Sequence, residues 1–167
     1  MKLISFSILS LTLCLGYVQA KDKPAKEVTK DKSGQPSKGH AQEVTITGND
    51  TMQFDVKNFE AKAGVKVKLT LKNIGQIPKI AMGHNLVVLK KGITAVAFGQ
   101  KALGAGANPT NPLPDSLKGD VIAATKLLGP AESDTIEFTA PKEPGSYEYV
   151  CTFPGHFALM RGTMTVK

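Results

Sequence analysis

The chain has 167 residues, of which 41% are apolar and 21% are charged, and its net charge is +7. This length and apolar fraction fit one globular domain with a hydrophobic core, and they exclude a chain that is disordered throughout. The excess of basic residues is not interleaved with aromatic residues in any nucleic-acid-binding motif, so nucleic acid is not expected as a partner.

The first 20 residues have the features of an export signal. Lys2 precedes an apolar stretch over residues 3–18, and the segment ends at Ala20 with the small residue that signal peptidases require. A membrane-spanning helix needs about 20 apolar residues, more than this stretch supplies. We therefore predict a signal peptide over residues 1–20 that is removed on export, and a periplasmic mature protein.

Each of the two cysteines requires a separate interpretation. Cys14 lies within the signal, after residues that loosely resemble the sequence at which lipoproteins are acylated, but Leu13 is larger than the residue usual at that position. Membrane attachment is therefore expected only if Cys14 is lipidated. Cleavage after Ala20 leaves Cys151 as the one cysteine of the mature protein, which excludes an intramolecular disulfide.

Residues 21–41 are predicted to form a flexible linker rich in lysine and proline. Six lysines, three acidic residues and two prolines lie between Lys21 and His40, with almost no apolar side chains. Such a segment buries too little surface to offset its ordering entropy. A solvated spacer is the simplest interpretation, and weak attraction to an anionic membrane surface or to an acidic partner is the alternative. His40, at its edge, is expected to be exposed and not to bind metal.

Residues 42–167 alternate between apolar and polar side chains, as strands with one buried face do. The clearest case is 65–71, where valine and leucine alternate with lysine and threonine. Residues 84–89 are more uniformly apolar, as in a strand buried on both faces. Several short strands separated by glycine and proline turns predict an all-β sandwich. Shorter alternating segments occur at 44–46, 52–56, 136–138, 147–151 and 164–166.

One region interrupts the strand pattern. Residues 92–119 are rich in alanine, glycine, asparagine and proline. We predict a short helix over about 93–103, followed by a loop.

Side chains that can bind a metal lie close together near the C-terminus. Cys151, His156 and Met160 have the spacing Cys-x4-His-x3-Met on one short segment, and His84 lies upstream as a further imidazole. Blue copper sites use two histidines and one cysteine in a trigonal set, with a weak axial methionine. This spacing predicts a copper electron-transfer centre.

Two motifs resemble those of the azurins, which are blue copper proteins of the cupredoxin family. They are Met82-Gly83-His84-Asn85 and the segment from Cys151 to the C-terminus, and the resemblance extends from about residue 43 to residue 167. The gap between cysteine and histidine is longer than in plastocyanin-like proteins. The resemblance implies a Greek-key β-sandwich or barrel with a helical flap, one type 1 copper per chain, and a one-electron carrier that is not an enzyme.

The resemblance also implies a role for each ligand. Cys151 is expected to bind copper as a thiolate, and His84 and His156 as neutral imidazoles. Met160 is expected on the axis, and the carbonyl of Gly83 on the opposite side. A glycine without Cβ allows the backbone to approach a metal closely.

Three further residues are expected to support the ligands. Asn85 matches the azurin residue that joins the two ligand loops by hydrogen bonds, and Thr152 and Phe153 flank the sulfur. Ordinary turn formation and core packing remain the alternative roles for these residues.

The edge of His156 is expected to be the point where electrons leave, surrounded by an apolar patch. Phe157 replaces a small polar residue common in azurins and is expected to enlarge this patch. The resemblance implies redox partners such as c-type cytochromes or copper or haem reductases. The predicted patch comprises Met52, Ile77, Ala81, Met82, Pro154, Phe157, Ala158 and Leu159.

Other functions use similar residues. A copper-delivery protein of the periplasm would bind Cu(I) in an open site, but such proteins favour methionine-rich or paired-cysteine motifs, and neither occurs here. A copper enzyme would need additional histidines, and only His40 remains. Zinc could occupy a Cys-His-His site in recombinant protein as a misloaded form.

Overall fold

The computed structural model describes residues 41–167, and the predicted signal, linker and Cys14 lie outside these residues. Within these residues, nine strands form two sheets that do not close into a barrel. In the first sheet the order is β2-β1-β4-β7, with β1 Gln42–Asn49, β2 Gln53–Phe54, β4 Lys66–Asn73 and β7 Ser133–Thr139. In the second the order is β3-β9-β8-β5-β6, with β3 Asn58–Ala61, β5 Val87–Leu89, β6 Val121–Ala124, β8 Gly145–Val150 and β9 Arg161–Val166.

The alternating pattern determines which side chains enter the core. On β4, Val67, Leu69 and Leu71 are fully buried, while the residues between them are half-buried. They pack with Tyr149 and Met164 of the opposite sheet in one hydrophobic cluster. The predicted all-β sandwich is therefore confirmed. The strands of residues 41–167 do not form the closed barrel that was the alternative.

Strand directions bring the predicted ligand segments to one end of the sandwich. β1 and β4 are parallel, and β8 is antiparallel to β9. We define the upper end as the one at which β1, β4 and β8 finish and at which β3, β7 and β9 begin. The segment between β8 and β9 lies at this end, and it contains all three of Cys151, His156 and Met160.

Two predicted strands are shorter than their patterns suggested. The pattern over 52–56 predicts one strand, but only Gln53–Phe54 pairs with β1. Met52 has a positive φ of 55° and donates its N–H to Asn49 O at 3.0 Å, so it completes a turn. Within 84–89, β5 includes only Val87–Leu89.

The predicted helix is present, shifted by one or two residues, as α2 Ala95–Gly104. It follows a four-residue helix, α1 Lys79–Met82, which the sequence pattern did not indicate. The first turn of α2 is capped from two sides. Thr94 Oγ1 accepts the N–H of Ala97 at 3.4 Å, and Glu148 Oε2 accepts the N–H of Ala95 at 2.7 Å. No helix in residues 41–167 is long and apolar enough to span a membrane.

A second hydrophobic cluster attaches α2 to the sandwich. Phe98 and Ala102 of the helix are buried with Leu89 and Val150, and the ring of Phe157 packs against the same cluster. A Cβ atom at Gly99 would lie 2.1 Å from Cγ of Phe157. The helix therefore contacts the residue that follows His156.

We expect Gly99→Val to destabilise the protein by about 1–3 kcal/mol, because the added side chain overpacks the space that Phe157 fills. Urea unfolding of the two proteins measures the difference. Gly104→Val is the control, since a Cβ there meets no atom within 4 Å. Equal losses for the two variants would contradict the packing of Phe157 on Gly99.

Candidate metal centre

Three predicted ligands converge at the upper end of the sandwich. The ligating atoms of His84, Cys151 and His156 all lie within 4.8 Å of one another. His84 and Cys151 are fully buried, and His156 is 3% exposed. A thiol and two imidazoles are thus enclosed by protein, as a closed metal site requires.

The backbone of His84 is fixed by a β-bridge to the segment before β7. Its N–H donates to Leu128 O at 3.0 Å, and Leu128 N–H donates back to His84 O at 2.7 Å. These bonds hold His84 just before β5 begins.

The glycine before His84 has a packing role that differs from the predicted reason. A Cβ at Gly83 would lie 2.7 Å from Lys79 O and 2.9 Å from Cδ1 of Leu127. Its φ of −68° is open to any residue. Contacts with Lys79 and Leu127 therefore leave no room for a Cβ atom at Gly83. This packing explains the glycine without a close approach to a metal.

The segment from Cys151 to Met160 closes on itself by backbone hydrogen bonds. Cys151 N–H donates to Met160 O at 2.9 Å, and Met160 N–H donates to His156 O at 2.8 Å. Gly155 has a φ of +84°, which a side chain would disfavour, and the chain turns sharply there just before His156. This closed loop holds the thiol and the imidazole in fixed relation.

Met160 is fully buried beside the histidine, in a space that a strand glycine leaves open. A Cβ at Gly48 of β1 would lie 2.6 Å from Cε of Met160 and 3.3 Å from Cδ2 of His84. Sequence reasoning assigned no role to Gly48. A glycine within an otherwise regular strand often marks such a close approach, and that signal could have identified it.

The two ligand segments are joined by a pair of buried hydrogen bonds. Asn85 Nδ2 donates to Thr152 Oγ1 at 2.9 Å, and Thr152 N–H donates to Asn85 Oδ1 at 2.9 Å. Both residues are 1% exposed. The positions that follow His84 and Cys151 are therefore held together.

The aromatic ring of Phe153 lies against His156. Their ring centroids are 4.6 Å apart at an interplanar angle of 38°, and Phe153 is 5% exposed. This contact limits rotation of the imidazole.

Burial sets the protonation state of the three ligands. It raises the pKa of the Cys151 thiol to about 12, partly opposed by the backbone of Asn85 and Phe153. Burial, together with the nearby His84, lowers the pKa of His156 to about 4, and burial also lowers that of His84. At pH 7 the site therefore presents two neutral imidazoles and a protonated thiol.

The ring nitrogens of His84 provide a test of whether a metal fits. Both are buried, and neither has a hydrogen-bond partner among the described residues. An unsatisfied buried polar group costs about 1–3 kcal/mol. Coordination of a metal would remove that cost for the nitrogen that binds it, and a donor set of two imidazoles, a thiolate and a thioether suits copper.

These protonation states predict how metal binding depends on pH. We expect Cu(II) binding at pH 7 to release about one proton, because the thiol must ionise while the imidazoles are already neutral. Affinity should rise about tenfold per pH unit between pH 6 and 8, and more steeply near the pKa of His156 at about 4. Calorimetry in two buffers with different ionisation enthalpies counts the protons. Binding without proton release would contradict the raised pKa of Cys151.

Only some residues of the predicted apolar patch are exposed. Ala81 and Ala158 are exposed, Ile77 is 38% exposed and Leu159 is 55% exposed, whereas Met52, Met82 and Pro154 are half-buried. Phe157 does not simply enlarge the patch as expected, because its ring is half-buried against α2. Two further exposed side chains near Ile77 in sequence, Ile74 and Ile80, were not predicted.

Comparison with known proteins identifies the family of this chain. The family model described as copper binding proteins, plastocyanin/azurin family, matches residues 40–167. The chain belongs to this family. Its members are electron carriers that use copper, so the predicted cofactor and function class agree with the family.

Individual relatives are similar over the same part of the chain. Azurin-2 of Alcaligenes xylosoxydans xylosoxydans is 41% identical over 128 residues, which cover 73% of this chain and 95% of the relative. Outer membrane protein H.8 of Neisseria gonorrhoeae is 40% identical over 126 residues, which cover 74% of this chain and 66% of the relative.

Solved structures show the same fold. An azurin, Az-iso2, from Methylomonas sp. strain J superposes with a TM-score of 0.64 at 29% identity, covering 77% of this chain and 99% of the other. Auracyanin A of Chloroflexus aurantiacus, described as a "blue" copper protein, gives a TM-score of 0.63 at 30% identity, covering 77% of this chain and all of the other.

Proposed function

We propose that this chain carries single electrons on one copper ion held by His84, Cys151, His156 and Met160. The observation that supports this most directly is the convergence of three buried ligand atoms within 4.8 Å. One of them lies on His84, whose ring nitrogens have no hydrogen-bond partner within residues 41–167. Bound copper would supply a one-electron couple between Cu(I) and Cu(II). The protein supplies the ligands and their fixed arrangement.

We assign each side chain a role from its surroundings. Cys151 would provide the thiolate, and His84 and His156 would provide the two imidazoles. Met160 and the carbonyl of Gly83 would be weaker ligands. The hydrogen bonds between Asn85 and Thr152 and the closed loop limit ligand movement, so that a change of oxidation state requires little rearrangement.

Electrons are proposed to leave through the edge of His156. This ring is 3% exposed, and the exposed residues Ala158 and Leu159 follow it in the chain. A small apolar surface of this kind suits a transient redox complex. The proposed partners are c-type cytochromes or copper or haem reductases.

A copper-delivery function is not favoured by the geometry. Delivery requires a metal that exchanges readily, whereas Cys151, His84 and Met160 are fully buried. We further propose that the protein has no catalytic activity of its own, since the sequence offers only His40 as a further imidazole ligand for a second copper.

We propose that residues 1–20 direct export to the periplasm, that 21–41 form a linker, and that 42–167 form the copper domain. The start of β1 at Gln42 supports the last boundary. The similarity to an outer membrane protein makes attachment through Cys14 the alternative. Mass spectrometry of the mature protein distinguishes cleavage after Ala20 from acylation of Cys14.

Voltammetry of the copper-loaded protein tests the proposed function. We expect a reversible one-electron wave with fast exchange and one copper per chain. An irreversible wave, or loss of copper on reduction, would contradict an electron carrier and favour delivery.

Met160→Leu should keep the intense colour and raise the reduction potential, because removal of a weak donor to Cu(II) favours Cu(I). Each tenfold shift in this preference raises the potential by about 59 mV. Met164→Leu is a matched control, since Met164 is equally buried but lies in the core between the sheets. Equal potentials for the two variants would exclude an axial role for Met160.

A further inference from the structure

A groove at the upper end of the sandwich combines two cations with an apolar side chain of the ligand loop. Lys57, Arg161, Leu159 and Glu148 line it. Lys57 directly precedes β3, and Arg161 is the first residue of β9. Both strands begin at the upper end, so these cations lie at the same end as the metal centre.

The groove is continuous with the loop that holds the ligands. Leu159 N–H donates to His156 O at 3.0 Å, and the side chain of Leu159 is 55% exposed. Lys57 is fixed beside β9, because its carbonyl accepts the N–H of Thr163 at 2.8 Å. A Cβ at Gly162 would lie 2.7 Å from the same carbonyl, so the two strands approach closely here.

The two cations have no intramolecular partner among residues 41–167. Seven ion pairs occur in this part of the chain, and none includes Lys57 or Arg161. The nearby carboxylates are engaged with backbone groups. Glu148 caps α2 at 2.7 Å, and Asp55 Oδ1 accepts the N–H of Thr47 at 2.6 Å. Both carboxylates keep their charge, but neither pairs with Lys57 or Arg161, so the two cations remain available to an incoming molecule.

We propose that Lys57 and Arg161 form a recognition site for carboxylates on the docking face of an acidic redox protein. This inference rests on the proposed function. An apolar centre bordered by charged residues is the usual composition of a protein interface. Opposite charges at such a border increase the association rate and orient the partner, and salt weakens their effect. In the complex, the partner's carboxylates pair with the two cations while its apolar centre covers Leu159 and Ala158.

Reduction kinetics with small charged reagents test the proposal. Hexacyanoferrate(II) gives one electron to the Cu(II) protein, forming hexacyanoferrate(III) and the Cu(I) protein. At low ionic strength, we expect Lys57→Glu/Arg161→Glu to slow this reaction about tenfold, at the lower end of the range for electrostatic steering. The same variant should react faster with hexaammineruthenium(II). Both effects should disappear at high salt.

A matched control separates the effect of local charge on the rate from the effect of net charge. Lys62→Glu/Lys142→Glu changes the net charge equally, at the opposite end of the sandwich, and neither lysine belongs to any of the seven ion pairs. At an ionic strength of about 0.1 M, where the Debye length is about 10 Å, we expect less than about a twofold effect there, whereas Lys57→Glu/Arg161→Glu should still slow the reaction measurably. Equal slowing by both double variants, or no slowing by the first, would overturn the proposal. Lys57→Gln/Arg161→Gln repeats the test with smaller changes if charge reversal disturbs the strand ends.

A binding measurement makes the result independent of electron transfer. Redox-inert, paramagnetic hexacyanochromate(III) should broaden the amide signals of Lys57 and Arg161 in the Cu(I) protein, and the charge-reversed variant should lose this broadening. Uniform broadening over the surface would overturn the site. If the variant instead loses binding to anionic phospholipid vesicles and keeps its kinetics, the groove faces a membrane and the proposal is wrong. A blue, reversibly reducible wild type without the groove effects would leave the proposed function intact.

Discussion

Cys151→Ser is expected to abolish the blue colour of the Cu(II)-loaded protein completely. The colour of such sites arises from charge transfer between a thiolate and copper, and a serine hydroxyl does not ionise at neutral pH to replace it. The substitution is close in volume at a fully buried position, so the fold should be retained. Absorption between 400 and 800 nm, roughly the visible range, measures the loss alongside circular dichroism as the check of folding.

Thr152→Ser is the matched control for this substitution. It keeps the hydroxyl that accepts the hydrogen bond from Asn85 and leaves the thiol unchanged. This variant should remain blue. Retention of an intense visible band in Cys151→Ser would show that the sulfur is not the ligand responsible, and the assigned site would be wrong.

Asn85→Ala is expected to lower the free energy of unfolding by about 2–6 kcal/mol. It removes both hydrogen bonds to Thr152 and leaves a buried N–H and a buried hydroxyl unsatisfied, each at a cost of about 1–3 kcal/mol. Because these bonds join the segments after His84 and Cys151, the copper absorption band should also broaden or shift. Urea unfolding and the optical spectrum measure the two effects.

Asn73→Ala separates loss of stability from loss of ligand alignment. Asn73 is 2% exposed and makes two comparable hydrogen bonds, to Leu128 O at 3.2 Å and from Gly75 N–H at 2.8 Å. It should lose similar stability while the copper spectrum changes less than in Asn85→Ala, because both backbone hydrogen bonds between Leu128 and His84 are retained. If both variants alter the spectrum equally, Asn85 has no special role in joining the ligand loops.

The C-terminal ligand loop could be predicted from sequence because its chemistry is local. Cys151, His156 and Met160 lie within ten residues, and few functions other than metal binding require that set of side chains at that spacing. The role of Asn85 was predicted from the resemblance to azurins. The structure shows two hydrogen bonds between Asn85 and Thr152, which are 67 residues apart in the sequence.

Contacts between distant segments could not be predicted in the same way. The packing of Phe157 on Gly99 depends on how α2 folds over the loop, and periodicity contains no information about that placement. The close approach of Gly48 to Met160 and the contact of Gly83 with Lys79 depend equally on the assembled sandwich. In the structure, each of these glycines lies where a Cβ atom would clash with a neighbouring segment.

The strands were predicted where burial on one face enforces alternation. Residues 65–71 matched closely, because β4 lies in the middle of its sheet with a neighbour on each side. The segment 52–56 alternates too, but Met52 adopts a positive φ in a turn and only two residues pair. Alternation alone does not distinguish a strand from a turn that buries every second side chain.

Titration of Cu(II) into the folded apoprotein, followed by visible absorption and electron paramagnetic resonance, tests the central claim most directly. Three buried ligand atoms within 4.8 Å of one another can hold one ion. We predict an intense blue band that increases linearly and stops at one equivalent of copper, with the narrow hyperfine splitting of a thiolate-bound site. A colourless complex, or a band that requires two equivalents, would contradict the assignment of a blue copper electron carrier.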